Sequence, residues 1–314
     1  MFELAIANVV ALIAGTGWLA KLTLPFSQAV RVRNAFLLRR GLPEDFNWTP
    51  SSIPSGFRVE HGRAPSVIDQ AVRDNGLQNA DSDWVRALGL VTMLVRHGRN
   101  EGAIRADLVT TYNGIVAGKG YCSDYVRVYL AAAVSADLFC RQWAFSFDGF
   151  GGHGHTFVEV YDRQRARWIF VDVHNNVYAV LAGTDEPIDA LTLRQALVTS
   201  PASIEFRRAG PGRLGFEHFH KLLDYYRRGA SQWYLWLGND VITRDTAGFA
   251  RVFSKVSGRV AHGVASAFGL PPILVVVTSE NESQVARMQS LKQAVITAVI
   301  LIILLALLLG LQLD

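Results

Sequence analysis

The sequence predicts an α+β chain: helices first, an antiparallel sheet afterwards, and a transmembrane helix at the C-terminus. Three observations carry this. Apolar residues recur at helical spacing up to about residue 138, and β-rich runs replace them from about residue 141. Between residues 294 and 311 no charged residue occurs at all.

The two ends come first, because they set the surroundings of the rest. Roughly 20 apolar residues at about 1.5 Å each cross a hydrocarbon core, so residues 292–313 read as a transmembrane helix. From 294 to 311 Thr297 is almost the only polar residue, and a buried core helix is rarely apolar on every face. Residues 4–20 are also apolar but form a short stretch, weakened as a helix by Gly15 and Gly17. Its basic residues (Lys21, Arg31, Arg33, Arg39 and Arg40) follow it instead of preceding it, unlike a cleaved signal. Residues 1–22 are therefore expected to form a membrane anchor, inserted or interfacial. Arg287 and Lys292 precede the last segment and only Asp314 follows it, which places the middle of the chain on the cytoplasmic face.

Composition agrees with a membrane partner. The 314 residues are 50% hydrophobic, with net charge +4, mean hydropathy +0.19 and pI about 9.2. Much of the positive excess is juxtamembrane arginine, which suits an anionic lipid surface. No Lys/Arg-rich run interleaved with aromatics points to nucleic acid. The two cysteines, Cys122 and Cys140, make no disulfide framework, and in the cytoplasm they stay reduced.

Between the ends, residues 23–80 read as an irregular extension punctuated by Pro25, Pro43, Pro50, Pro54 and Pro65. The core is expected over 81–182. Asp81-Ser82-Asp83 supplies N-cap residues for a helix carrying Trp84, Leu88, Val91, Leu94 and Val95. A second helix is expected over 103–116, ending in the loop Gly118-Lys119-Gly120. A third follows over 122–138, with Val126, Tyr129, Leu130, Ala133 and Val134 on one side. Strands are expected at 141–147, 155–161 and 168–173, with a loop of glycines and histidines at 148–154. Residues 183–285 read as an α/β extension of the same domain, including segments at 216–228 and 233–241.

Cys122 follows the glycine loop and opens a helix, where the dipole favours negative charge and free N–H groups can receive an oxyanion. Cys140, at the entrance of an apolar strand, fits a buried hydrophobe. His155 and Asp172 are separated by 17 positions, an odd number, so a hairpin places them on one sheet face. With the turn centred between Arg163 and Gln164 they stand directly opposite, Cβ atoms about 4.5–5.5 Å apart. An aspartate inside Trp-Ile-Phe-Val-Asp-Val needs a partner. Together the three residues supply a nucleophile, its base and the orienter of that base.

The segments GKGYCSDYVRVYL, GHTFVEVY and WIFVDV resemble the transglutaminase-like (papain-like cysteine) superfamily. The matching positions are Gly120, Cys122, Asp124 and Tyr125; His155, Phe157, Glu159 and Val160; then Trp168 and Asp172. The resemblance covers roughly residues 83–180 and implies a papain/transglutaminase-like core. It also implies protease, amidase or cross-linking activity, although the superfamily has members that lost it. Two departures stand out: Thr156 separates His155 from the aromatic Phe157, and His174-Asn175-Asn176 follows Asp172 where a proline is common.

The function expected is membrane-anchored acyl transfer on an amide or peptide-like substrate by Cys122, His155 and Asp172, ending in hydrolysis or transamidation. The substrate would be a protein, a peptide or a glycan-linked molecule. Gly120, His153 and His174 are candidate substrate-binding residues. The alternative is a catalytically silent binding or scaffold protein in a cell-envelope or polysaccharide assembly, within a membrane-protein complex. No cofactor is expected: no phosphate-cradling loop is present. His153, His155, His174 and Cys122 match no recurrent zinc spacing, so no metal is expected either. His218 and His220 read as helix surface and packed face, and Trp233, Tyr234 and Trp236 as core.

Overall fold

The computed structural model describes residues 2–23, 25–99, 102–104, 106–212, 214–246 and 269–313. The chain is α+β, with one mixed eight-stranded sheet and a long apolar helix at its C-terminal end. It opens with helices α1 (Phe2–Thr23) and α2 (Phe26–Leu37) and strand β1 (Leu38–Gly41). Four helices follow: α3 (Ser66–Asp74), α4 (Asp83–Val95), α5 (Leu108–Val116) and α6 (Cys122–Ser135). The sheet then accumulates β2 (Cys140–Ser146), β3 (Gly154–Asp162), β4 (Arg167–Asp172) and β5 (Val177–Leu181). Helix α7 (Ala190–Thr199), strand β6 (Ile204–Arg208), helix α8 (Phe219–Gly229) and strand β7 (Trp233–Trp236) come next. Helix α9 (Val241–Thr246), strand β8 (Ile273–Val276) and helix α10 (Glu282–Leu313) complete the described chain.

The strand order is β1-β8-β7-β2-β3-β4-β5-β6. Only the β1–β8 pair is parallel; the rest are antiparallel. Alternation along the strands divides the core. Cys140, Val158, Val160 and Val171 face α3–α6. Trp143, Phe145, Phe157 and Phe170 face α7 and α8. A third cluster joins Ala35 of α2 and Val285 and Met288 of α10 to Tyr234 and Trp236 of β7.

Residues 23–80, expected to be irregular, hold α2, β1 and α3. The prolines explain the difference. Pro25 and Pro65 stand immediately before α2 and α3, a position a proline tolerates because the first helical N–H groups have no partner anyway. They begin helices instead of excluding them. Helix α5 starts at Leu108 and not at 103, because Asp107 caps it by accepting from Thr110 N at 2.9 Å. Helix α6 stops at Ser135, shortly before Asp137 takes φ +54°. The C-terminal segment read over 233–241 is strand only to Trp236, with helix from Val241. Trp233, Tyr234 and Trp236 are buried core, as expected.

Helix α1 is continuous through the two glycines. Gly15 lies against α10, where an added Cβ would meet Ile302 at 3.1 Å, and Asn8 donates to Gln312 at 3.3 Å. The two helices run antiparallel, and a small residue allows the close approach. Helix α10 has mean hydropathy 3.2 over its most apolar window, of which only 6% is buried. By length and composition it is able to cross a membrane.

Candidate active site

Strands β3 and β4 pair Val158 with Val171 and Asp162 with Arg167. The hairpin is shifted by two residues from the expected register: Phe170 faces Glu159, not Phe157. The cause is a tight turn over 163–166. Asp162 accepts from Arg165 N at 2.9 Å, and Ala166 adopts φ +53°. His155 and Asp172 are thus diagonal neighbours and not directly opposed. A shift of two preserves parity, so both still project from one face, and the diagonal remains within side-chain reach. His155 Nε2 donates to Asp172 Oδ2 at 2.8 Å.

This pair belongs to the α8 side of the sheet and is almost fully buried. Its packing is aromatic: the ring centroids of Tyr225, Phe145 and Tyr226 lie 5.6, 5.7 and 5.9 Å from that of His155. Tyr226 OH donates to Asp172 Oδ2 at 2.7 Å, and Asn175 gives it a side-chain hydrogen bond at 2.5 Å. Asn175 N donates to the other oxygen at 3.1 Å. Burial opposes charge on Asp172, but His155, Tyr226 and Asn175 outweigh it and hold the carboxyl below its ordinary value. Burial also opposes charge on His155, and here Asp172, Tyr225 and Cys122 prevail, so the imidazole stays well above its ordinary value.

Cys122 arrives from the other helical layer. It is the first residue of α6 and is partly exposed, whereas Cys140 is buried and its thiol is pushed up by that burial. Two features set the start of this helix. Asp124 Oδ2 accepts from Tyr121 N at 3.0 Å and from Ile104 N at 3.1 Å, tying two loops to the first turn. Gly120 takes φ +110°, which L side chains rarely adopt. Asp124 N and Tyr125 N donate to Tyr121 O at 2.9 and 3.1 Å. Of the first turn of α6, the N–H groups of Cys122 and Ser123 are thus the ones left without an intrahelical acceptor, the kind of group that can receive an oxyanion. The thiol lies within electrostatic range of the His155 ring, although no hydrogen bond joins them among the described residues. Since Nε2 is occupied by Asp172, Nδ1 is the nitrogen left for the thiol.

His174 lies beside this group, its ring centroid 6.0 Å from that of His155 and 5.6 Å from that of Tyr125. Burial and the neighbouring His155 bring its imidazole down to about 4. His153 stands apart. Its side chain is 73% exposed and its Nδ1 pairs with Asp148 at 3.0 Å, in a loop that faces α2. The structure thus brings His155, Asp172 and His174 together, sets Cys122 within electrostatic range of His155 and Gly120 against Tyr125, and leaves His153 outside.

Two motif residues turn out to be structural. Glu159 is buried and paired to Arg141 at 2.5 Å, and it accepts from Ala190 N at the start of α7 at 2.7 Å. The Arg141 guanidinium sits 4.1 Å from the Trp168 ring centroid. Tyr225, Tyr226 and the role of Asn175 were missed by sequence reasoning. Tyr226 carries no local signal, because nothing in its helix indicates a carboxylate 54 residues away. Asn175 could have been found, as an Asx-type donor three residues after the aspartate. No group of three or more His, Cys, Asp or Glu side chains suited to a metal ion occurs among the described residues. No family model, curated protein or solved structure matches the chain, so the transglutaminase-like resemblance rests on its three motifs.

Proposed function

We propose that the chain is a membrane-anchored cysteine enzyme of transglutaminase-like type that transfers acyl groups from amide or peptide-like substrates. One observation carries the reading: a buried carboxylate holds His155 by Nε2, while a partly exposed cysteine at a helix start acts electrostatically on the same ring. In the proposed cycle the Cys122 proton passes to His155 Nδ1 before the attack, where the raised imidazole holds it as imidazolium, and Sγ then bonds to the substrate carbonyl carbon. The N–H groups at the start of α6 receive the oxyanion. The amide C–N bond then breaks, the leaving amine takes its proton from His155, and a thioester remains. Water releases the acid, or an amine accepts the acyl group. Asp172 keeps the ring oriented and its charge compensated.

The test is labelling by a thiol-reactive acyl-mimetic probe at neutral pH. Cys122 is expected to react at least 100-fold faster than Cys140, and His155→Ala is expected to slow Cys122 by a similar factor. Equal reactivity of the two cysteines in the folded chain would sink the proposal. That no hydrogen bond joins Cys122 and His155 among the described residues favours, as a second reading, a silent scaffold in an envelope or polysaccharide assembly. That reading expects Cys122→Ala to leave cellular function intact.

A further inference from the structure

Helix α2 buries polar side chains beside Ala35 and leaves two phenylalanines exposed. Its charged residues point into the protein: Arg31 donates to the carbonyls of Asp148 and Gly149, and Arg33 lies 5.4 Å from the Trp236 ring centroid. Asn34 is fully buried and donates to Phe150 O at 2.8 Å. Its phenylalanines are the exposed residues of the helix, Phe26 47% and Phe36 42%, with one edge of the Phe26 ring against Gly152. Aromatic residues on the outer face are what a lipid headgroup–acyl boundary selects.

Two measurements place α2 at that level. Helix α10 has 32 residues, about 48 Å at 1.5 Å each, against a hydrocarbon core of about 30 Å. Its first turns therefore lie outside the core, and Val285 and Met288 there are docked on the domain. The apolar stretch begins after Lys292, and the Lys292 ammonium lies 5.9 Å from the Phe36 ring centroid. The outer face of α2 is thus level with the point where α10 becomes apolar. The α1–α2 bend is 97°, so α2 runs across the direction of α1, which packs along the apolar half of α10.

We propose that α2 lies in the headgroup–acyl boundary of the membrane that α10 enters, with Phe26 and Phe36 against lipid. The loop it grips, 147–153, runs directly into β3 and His155. The Cys122–His155 end of the sheet is thereby held at the bilayer surface and meets substrates that are themselves membrane-tethered; this last step rests on the enzyme reading above. The occupant of the α2 face is phospholipid, because the face is continuous with an apolar helix able to cross the bilayer and is bordered by Lys292.

The depth of α2 is tested without turnover, so its failure and that of the enzyme reading are separable. The full chain, in vesicles of phosphatidylcholine and phosphatidylglycerol, carries a nitroxide at Phe36→Cys, Phe26→Cys or the exposed control Val198→Cys on α7. Each is made in a Cys122→Ser background. Collision with oxygen is expected to exceed collision with a water-soluble nickel chelate several-fold at 26 and 36, and the reverse at 198. Nickel-dominated collision at 26 and 36 overturns the proposal, and shielding from both reagents overturns it in favour of a protein partner. The unmutated chain provides a second measurement: a diazirine-bearing phosphatidylcholine is expected to leave adducts within residues 25–37, and their absence overturns the placement. For substrate delivery, Val198→Cys with Cys122 intact is treated with iodoacetamide, either free or carried on a phosphoethanolamine headgroup. The free reagent is expected to label both cysteines, and the lipid-borne one Cys122 at least tenfold faster than position 198. A lipid-borne reagent that spares Cys122 overturns the delivery.

Discussion

At Asp172 three donors besides the imidazole side converge on one buried carboxylate: Tyr226 OH, Asn175 Nδ2 and Asn175 N. A charged acceptor without its full set of donors is costly in the interior. Tyr226→Phe removes one donor and little volume, and is expected to lower stability by about 2 kcal/mol, read as a lower urea midpoint at unchanged slope. Proton linkage at this site has two signs. His155 is raised, so its contribution is complete below 6.5 and is lost as pH rises through its folded value. Asp172 is lowered, so its contribution is complete above 3.8 and is lost as pH falls through its folded value. His174 has the sign of Asp172 and opposes that of His155. Its ring titrates at about 4 in the fold and near 6.5 unfolded, so the unfolded chain binds more protons in between. As pH falls from about 6.5 to about 4, stability is expected to fall by on the order of 3 kcal/mol from this group, and His174→Asn to flatten that limb of the urea midpoint against pH.

The β2–β3–β4 unit is the element that positions His155. Gly154 opens β3 opposite Ser146, and a Cβ there would come within 1.9 Å of Phe145 O. That neighbour is backbone inside a paired strand and cannot move aside. Gly154→Ala is expected to cost at least about 3 kcal/mol, seen in the thermal midpoint, and to displace His155, the next residue. Of this unit, parity was legible in the chain. An odd separation puts His155 and Asp172 on one face in any hairpin register whose index sum is odd, so the conclusion survived a two-residue error. The register itself was not legible, because it depends on the Asp162 side chain closing the 163–166 turn.

For the whole molecule, the domain and its apolar helices form one unit. Residues of α10 are core for the domain at Val285 and Met288 and become lipid-like after Lys292 without a break in the helix. Helix α1 packs along the same apolar half, beside Ile302. The intact chain is expected to stay with membranes through alkaline carbonate extraction. A chain limited to residues 25–291, which lacks both apolar segments, is expected to be released. Release of the intact chain would contradict a spanning α10.

Short-range regularities in the chain dictated the α+β order, the apolar C-terminal helix, the helix beginning at Cys122 and the shared face of His155 and Asp172. These follow from periods of 3.6 and 2 and from local caps, which involve neighbours in the sequence. Packing decided the rest. Tyr226 reaches Asp172 only because α8 crosses that face of the sheet. Asn34 reaches Phe150 O, and Arg31 the carbonyls of Asp148 and Gly149, only because the 148–150 loop comes to meet α2. Such contacts join residues more than 50 positions apart, and no local pattern encodes which of them will meet.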